Sequence, residues 1–338
     1  MSDASRPSSG IAPGEAPASK RGNALLVRVA TERQLLLIVL IVALISVMTI
    51  LEPNTFPRPA NAAVVLLDTA QTGILACGMM LLMIAGMFDL SIGGILAFSG
   101  IMAGLAAKEL GLPPVLAFMV GCGWGAVLGM INGTLVTRFR INALIATLAT
   151  LSIYRGGLQL VSGAGVTNIG NDFTIFGQTK ILGIYSPFWF MAVIVLLFAF
   201  MVGRTRYFRQ AYYIGGNAKA AKLSGINVDR TVFSFFVIMG LLAGLAGALL
   251  ASRLNTAVVL AGQGVELKVI TAVVLGGASL AGGVGSIFGA FLGVLFMALL
   301  QNAMIIAGIS PFWQLIVVGI VLLVSVGLDQ LARKGSRF

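Results

Sequence analysis

The feature that most restricts this chain is a series of long apolar runs that carry almost no charge. A helix needs about 20 consecutive apolar residues to cross the hydrocarbon core of a bilayer, where backbone polar groups find no water. Ten such runs lie at roughly 35–51, 61–84, 90–107, 113–135, 142–162, 186–203, 231–252, 266–281, 286–304 and 311–328. The third and eighth are short and rich in glycine. The expected fold class is all-α, a polytopic transmembrane helix bundle. Only 10% of the residues are charged, against about 25% in a soluble domain.

The flanks read differently. Residues 1–30, which begin rich in Ser, Ala, Pro and Gly, are expected to form a disordered cytosolic tail. Residues 31–330 form the transmembrane domain, with a cytosolic loop at 204–230, and 331–338 form a basic tail. The first apolar run, from Leu35, is not followed by a cleavage site and a soluble domain, so it is not read as a signal peptide. Basic residues mark the cytosolic side. Most of the 22 lysines and arginines fall on one side if both termini are cytosolic. The net charge of +11 does not point to nucleic acid, because the basic residues sit in loops and tails rather than in a stripe with aromatics.

The two halves resemble each other. Gly121, Gly125, Gly129 and Gly133 form a one-turn stripe in the fourth segment, and Gly285, Gly289 and Gly293 do the same near the ninth. Such stripes let helices approach closely. Asn132 stands at the end of the first stripe, and Gln301 with Asn302 follows the second. An offset of five segments implies an inverted 5+5 repeat. Other polar groups stand at lipid depth. Asp68, Gln71 and Thr72 share a helix face, and Thr147, Thr150 and Tyr154 share another. Intramembrane acids are costly and usually face an internal cavity. These faces are candidates for a translocation pathway, together with Asp89, Ser91, Asn132, Gln301 and Asn302. Interhelical hydrogen bonding is the competing reading for any single Thr or Ser.

The charged connector from Arg204 to Arg230 holds a short helix with punctuation at both ends. Asn217 suits an N-cap, Ala218 to Ser224 are mostly helix formers, and Gly225 suits the stop. Two turns are unstable alone, so this helix needs a surface. Ala218, Ala221 and Gly225 are expected to share a smooth face open to another protein.

The run Gly216-Asn217-x-x-Ala220-Ala221-x-x-Ser224-Gly225-Ile226 resembles the coupling loop of ribose-type permeases, the inner-membrane components of binding-protein-dependent ABC importers. Asp89-Leu-Ser-Ile-Gly93 is similar to the Asp-Leu-Ser-Val-Gly signature of that family, with Ile92 where Val is usual. Asp89 or Ser91 is expected to cap the helix that follows. The stretches Leu275-Gly-Gly-Ala-Ser-Leu-Ala-Gly-Gly-Val-Gly285 and Pro311-Phe-Trp313-Gln314 are family-like as well. The resemblance covers most of 60–330. It implies an inner-membrane permease that carries a pentose or similar simple sugar. It also implies ABC ATPase subunits docked at the coupling loop, a periplasmic sugar-binding protein, a second permease copy and a lipid surround. Related permeases carry branched-chain amino acids or a furanosyl signal molecule.

No engine is visible in the chain itself. It has no Gly-Lys-Ser/Thr phosphate loop, so ATP and magnesium are expected in the partner ATPase. The chain has no histidine, and its only cysteines, Cys77 and Cys122, lie inside apolar runs. That excludes a histidine-based triad and argues against a zinc centre or a disulfide framework. No catalytic or metal-ligating residue is assigned. The alternative from another class is a carrier driven by an ion gradient, for which Asp68 is the one deep acid.

Overall fold

The computed structural model describes residues 19–335. Most of the expected tail at 1–30 and the end of the basic tail at 331–338 lie outside the described residues. Each of the ten expected segments contains a helix. They are α1 (Ser19–Leu51), α2 (Pro59–Ile84), α3 (Ile92–Lys108), α4 (Pro114–Thr137), α5 (Ala143–Ser162), α7 (Ser186–Arg204), α10 (Val228–Leu254), α11 (Val265–Leu275), α12 (Ile287–Ile306) and α13 (Pro311–Gly335). Between them lie α6 (Ile175–Gln178), α8 (Arg206–Gly216) and α9 (Ala218–Leu223). Among the described residues, seven helices are long and apolar enough to cross a membrane: α2, α4, α5, α7, α10, α12 and the Gln34–Leu51 part of α1.

The fold is mostly helical, as expected, with two short strand pairings added, and one expected segment needs correction. β1 (Gly165–Thr167) pairs antiparallel with β4 (Thr256–Val258), and β2 (Lys180–Ile181) with β3 (Ile184–Tyr185). Runs of two or three residues are too short to show a strand period. The segment expected at 266–281 is only the 11-residue α11. It stops at Leu275 because Gly276 and Gly277 follow, with Gly277 at φ +98. Residues 276–286 then run without helix to α12.

The helices α2 and α10 are the centre of the bundle, with 78% and 67% of their apolar windows buried. An apolar residue on every face suits a helix surrounded by others. Packing is exchanged between halves. α10 lies against α3 and α4, whereas α2 lies against α11 and α12. α3 touches α5 as α11 touches α13.

Glycine makes these contacts possible. A Cβ on Gly125 would collide with Gly240 O and stand 2.6 Å from Gly244 Cα. The second stripe works in the same way, since side chains on Gly289 and Gly293 would strike Gly276 O and Ala272 O. Backbone therefore lies on backbone along both seams. Overpacking such a seam costs about 1–3 kcal/mol. Gly125→Ala is therefore expected to lower the thermal unfolding midpoint in detergent. Gly123→Ala, where no atom lies within 4 Å, should leave it unchanged.

Candidate functional site

One candidate site is the pair α8–α9. Phe208, Ala211 and Ile214 of α8 are buried three residues apart, so one stripe of this helix is held by the bundle. α8 ends at Gly216, and α9 starts at Ala218. Asn217 serves both. Its N–H donates to Tyr213 O at 3.0 Å, and its Oδ1 accepts from Lys219 N and Ala220 N, both at 3.0 Å. Gly225 stops the unit at φ +84, a value that other residues rarely adopt. Ile226 N–H then closes onto Ala221 O at 3.1 Å. The expected cap and stop are both present.

The expected docking face is not. Ala221 is only 4% exposed and packs inward, so it does not share an open face with Ala218 and Gly225. Leu223, 90% exposed, points away from the bundle, flanked by the exposed Ala220 and Ser224. Two grooves border α9. One, of about 420 Å³, is lined by Tyr212, Tyr213, Gly216, Ala220 and Ile226. The other, of about 560 Å³, has Lys219, Lys222 and Arg140 on its walls. Arg140 makes a two-pronged pair with Asp229, both contacts at 2.8 Å. The pair is exposed, so its contribution is small.

The pathway candidates divide into separate groups. Asp68, Gln71, Thr72 and Gln301 come together around a cavity of about 320 Å³, between α2, α11, α12 and α13. That size is within the usual range for a small-molecule pocket. The cavity also holds Lys268 of α11, which the sequence analysis did not single out. Its ammonium sits 2.9 Å from Asp68 Oδ2. Gln263 joins the lining from the turn before α11, and Leu315, Val318 and Leu322 supply an apolar wall. Gln301 Oε1 is buried and without a hydrogen-bond partner. The cavity therefore combines a carboxylate, an ammonium, amides and a hydroxyl beside an apolar surface. Such a lining can donate to and accept from a neutral polyol.

A second group is fully enclosed. Asp89 Oδ1 accepts from Ser91 N–H at 2.9 Å and from the Ser91 hydroxyl at 2.6 Å. Asn132 Nδ2 donates to Ser91 Oγ at 2.7 Å and reaches Asp89 Oδ2 at 3.3 Å. The Tyr154 hydroxyl is 3.1 Å from Asn132 Oδ1. Asp89, Ser91 and Asn132 have no exposure. Of the two expected caps, Ser91 occupies the N-cap of α3 without a side-chain cap bond, while Asp89 takes up the Ser91 N–H at the helix start. The Ser91 hydroxyl turns back to Asp89, since a buried carboxylate left without donors costs more than an uncapped helix end. This cluster ties the start of α3 to α4 and α5.

The remaining candidates join neither group. Asn302 exchanges amide bonds with Asn61, at 2.8 and 3.0 Å, tying α12 to α2. Thr147 and Thr150 are buried and donate to the α5 carbonyls of Ala143 and Thr147. The glycines of 283–289 serve packing: Gly285 lies against Met80 and Ile84, and Gly289 lies against Gly276.

The model of the family described as branched-chain amino acid transport system / permease component matches residues 61–326. The chain belongs to this family. This permease is 43% identical over 291 residues to the ribose import permease protein RbsC of Bacillus subtilis (85% of this chain, 89% of the relative). It is 37% identical over 299 residues to the Escherichia coli K12 protein of the same name (86% and 92%). It is 37% identical over 283 residues to the L-arabinose ABC transporter permease protein AraH of Azospirillum brasilense (83% of each). No solved structure matches the chain significantly. With its apolar helices, this permease is a multi-pass membrane protein.

The Asn217 cap on α9 can be tested directly. Removing a cap costs about 1 kcal/mol. Asn217→Ala is expected to speed amide exchange at Lys219 and Ala220 about fivefold, measured by hydrogen exchange.

Proposed function

We propose that this permease is the membrane subunit of a bacterial ABC importer, carrying a monosaccharide such as ribose or arabinose into the cytoplasm. The observation that carries this is the 43% identity, over 85% of the chain, to a ribose import permease. The family description mentions branched-chain amino acids, but relatives at 37–43% identity are named for ribose and arabinose. The cavity between α2, α11, α12 and α13 is the sugar path, with Asp68, Gln71, Thr72 and Gln301 as its polar lining.

The remaining assignments follow. ATP and magnesium belong to separate ATPase subunits that dock on α8–α9 through Ala220, Leu223 and Ser224. A periplasmic sugar-binding protein delivers the substrate, and two permease copies assemble in the inner membrane. The exchanged packing of α2 and α10 supports an inverted 5+5 repeat of ten segments, with both termini and α9 in the cytosol. Transport proceeds by alternating access, driven by closure of the ATPases. The ion-coupled reading is weaker, because Asp68 already has a protein cation, Lys268, at 2.9 Å.

Two measurements test this. Proteoliposomes holding the permease, its ATPase and its binding protein should accumulate ribose or arabinose only when ATP is supplied, with no ion gradient. Accumulation of leucine in place of sugar, or uptake by the permease alone without nucleotide, would defeat the proposal. Leu223→Asp should reduce co-purification of the ATPase at least about tenfold, because burying an unpaired charge in an interface costs several kcal/mol. The inserted permease itself should remain intact.

A further inference from the structure

Three backbone segments meet where α8 leaves the bundle. One is the end of α2 at Ile84, the second is the turn 282–285 between α11 and α12, and the third is the last turn of α8. Gly283 N–H donates to Ile84 O at 2.8 Å, joining the first two. Gly215 lies directly on that bond, and a Cβ there would collide with both Ile84 O and Gly283 N. Gly282 closes the node, since its own Cβ would come within 3.0 Å of Gly215 Cα and of Gly86 Cα. Tyr212, one turn back on α8, donates its hydroxyl to Gly285 O at 2.9 Å. Burial raises the Tyr212 phenol above its ordinary range, against the pull of Arg209, so it holds its proton.

The helices gripped here are the ones that carry the cavity's polar lining. α2 carries Asp68, Gln71 and Thr72, α11 carries Lys268, and α12 carries Gln301. From Asp68 to Ile84 the straight run of α2 is about 24 Å. At the other end of the node, α8 reaches α9 through Asn217 alone. A displacement of α9 therefore has no slack loop in which to dissipate.

We propose that Tyr212 and Gly215 are positioning residues that transmit movement of α9 to the cavity-lining helices α2, α11 and α12. This rests on the reading of α9 as the ATPase-docking helix. Tyr212 fixes α8 to the 282–285 turn by a directional bond. Gly215 lets α8 press on the α2 terminus with no side chain between. Neither residue contacts the sugar. Their substitution leaves docking and hydrolysis in place but weakens the link between hydrolysis and transport.

The test is the ratio of sugar transported to ATP hydrolysed in proteoliposomes holding the full complex. Tyr212→Phe removes one hydrogen bond to a half-buried carbonyl, so the ratio should fall about fivefold while the ATPase still co-purifies and hydrolyses ATP. Gly215→Ala should lower it further. Gly203→Ala, where no atom lies within 4 Å, should leave it unchanged. An unchanged ratio in both Tyr212→Phe and Gly215→Ala would overturn the proposal. A second readout uses the permease alone. Tyr212→Phe should speed amide exchange at Gly283, and unchanged exchange there would overturn the proposed grip of α8 on the turn. If the wild-type ATPase fails to bind at all, the docking assignment fails instead, and the exchange measurement still decides whether the node exists.

Discussion

Contact between helix backbones is the constraint on which the rest of this bundle depends. Lipid tails are as apolar as leucine, so helices in a membrane gain little by hiding apolar surface from them. They hold together by packing, and packing improves as they approach. The α4–α10 seam, the α11–α12 seam and the approach of Gly100 to Gly247, where an added Cβ would stand 2.9 Å from Gly247 O, all lack a side chain at the point of approach. The two central helices can then each be enclosed by elements of the opposite half. The interrupted backbone between α2 and α3, and between α11 and α12, is tolerated where it is packed against protein, as at Asp89, Ser91, Ala278 and Gly282.

Polar groups in such an interior need partners, and the structure meets that need unequally. Around Asp89 several donors converge and no space remains. Around Asp68 the ion pair with Lys268 leaves a cavity, a half-exposed carboxylate and an amide oxygen without a partner. The first arrangement suits a joint, and the second suits a passage. Both centres combine an acid with an amide and a hydroxyl, but Asp68 also has a cation, Lys268, and lies where four helices leave a cavity.

Local features were legible in the sequence and tertiary pairings were not. All ten apolar segments hold helices, because an uncharged run can be read without knowing its neighbours. The Asn217 cap and the Gly225 stop were legible for the same reason. The early end of α11 was not, because Gly276 and Gly277 sit within an otherwise apolar run. The inward turn of Ala221 depends on how α9 lies on the bundle, and a six-residue helix gives no periodic pattern from which to infer it. Lys268 gave no local signal of a role, because its partner is 200 positions away. Thr147 and Thr150 looked like a polar path, yet their hydroxyls are satisfied by their own helix.

The single residue between α8 and α9 has a consequence for how this region can change over time. Surface connections usually accept insertions readily. Here one added residue would rotate α9 by about 100° around its own axis. Leu223 would swing away from its outward direction, and a buried position would be carried into solvent. The angular setting of the exposed patch is thus fixed by chain length at Asn217. Drift by insertion or deletion is closed to this elbow, while substitution on its outer surface stays open.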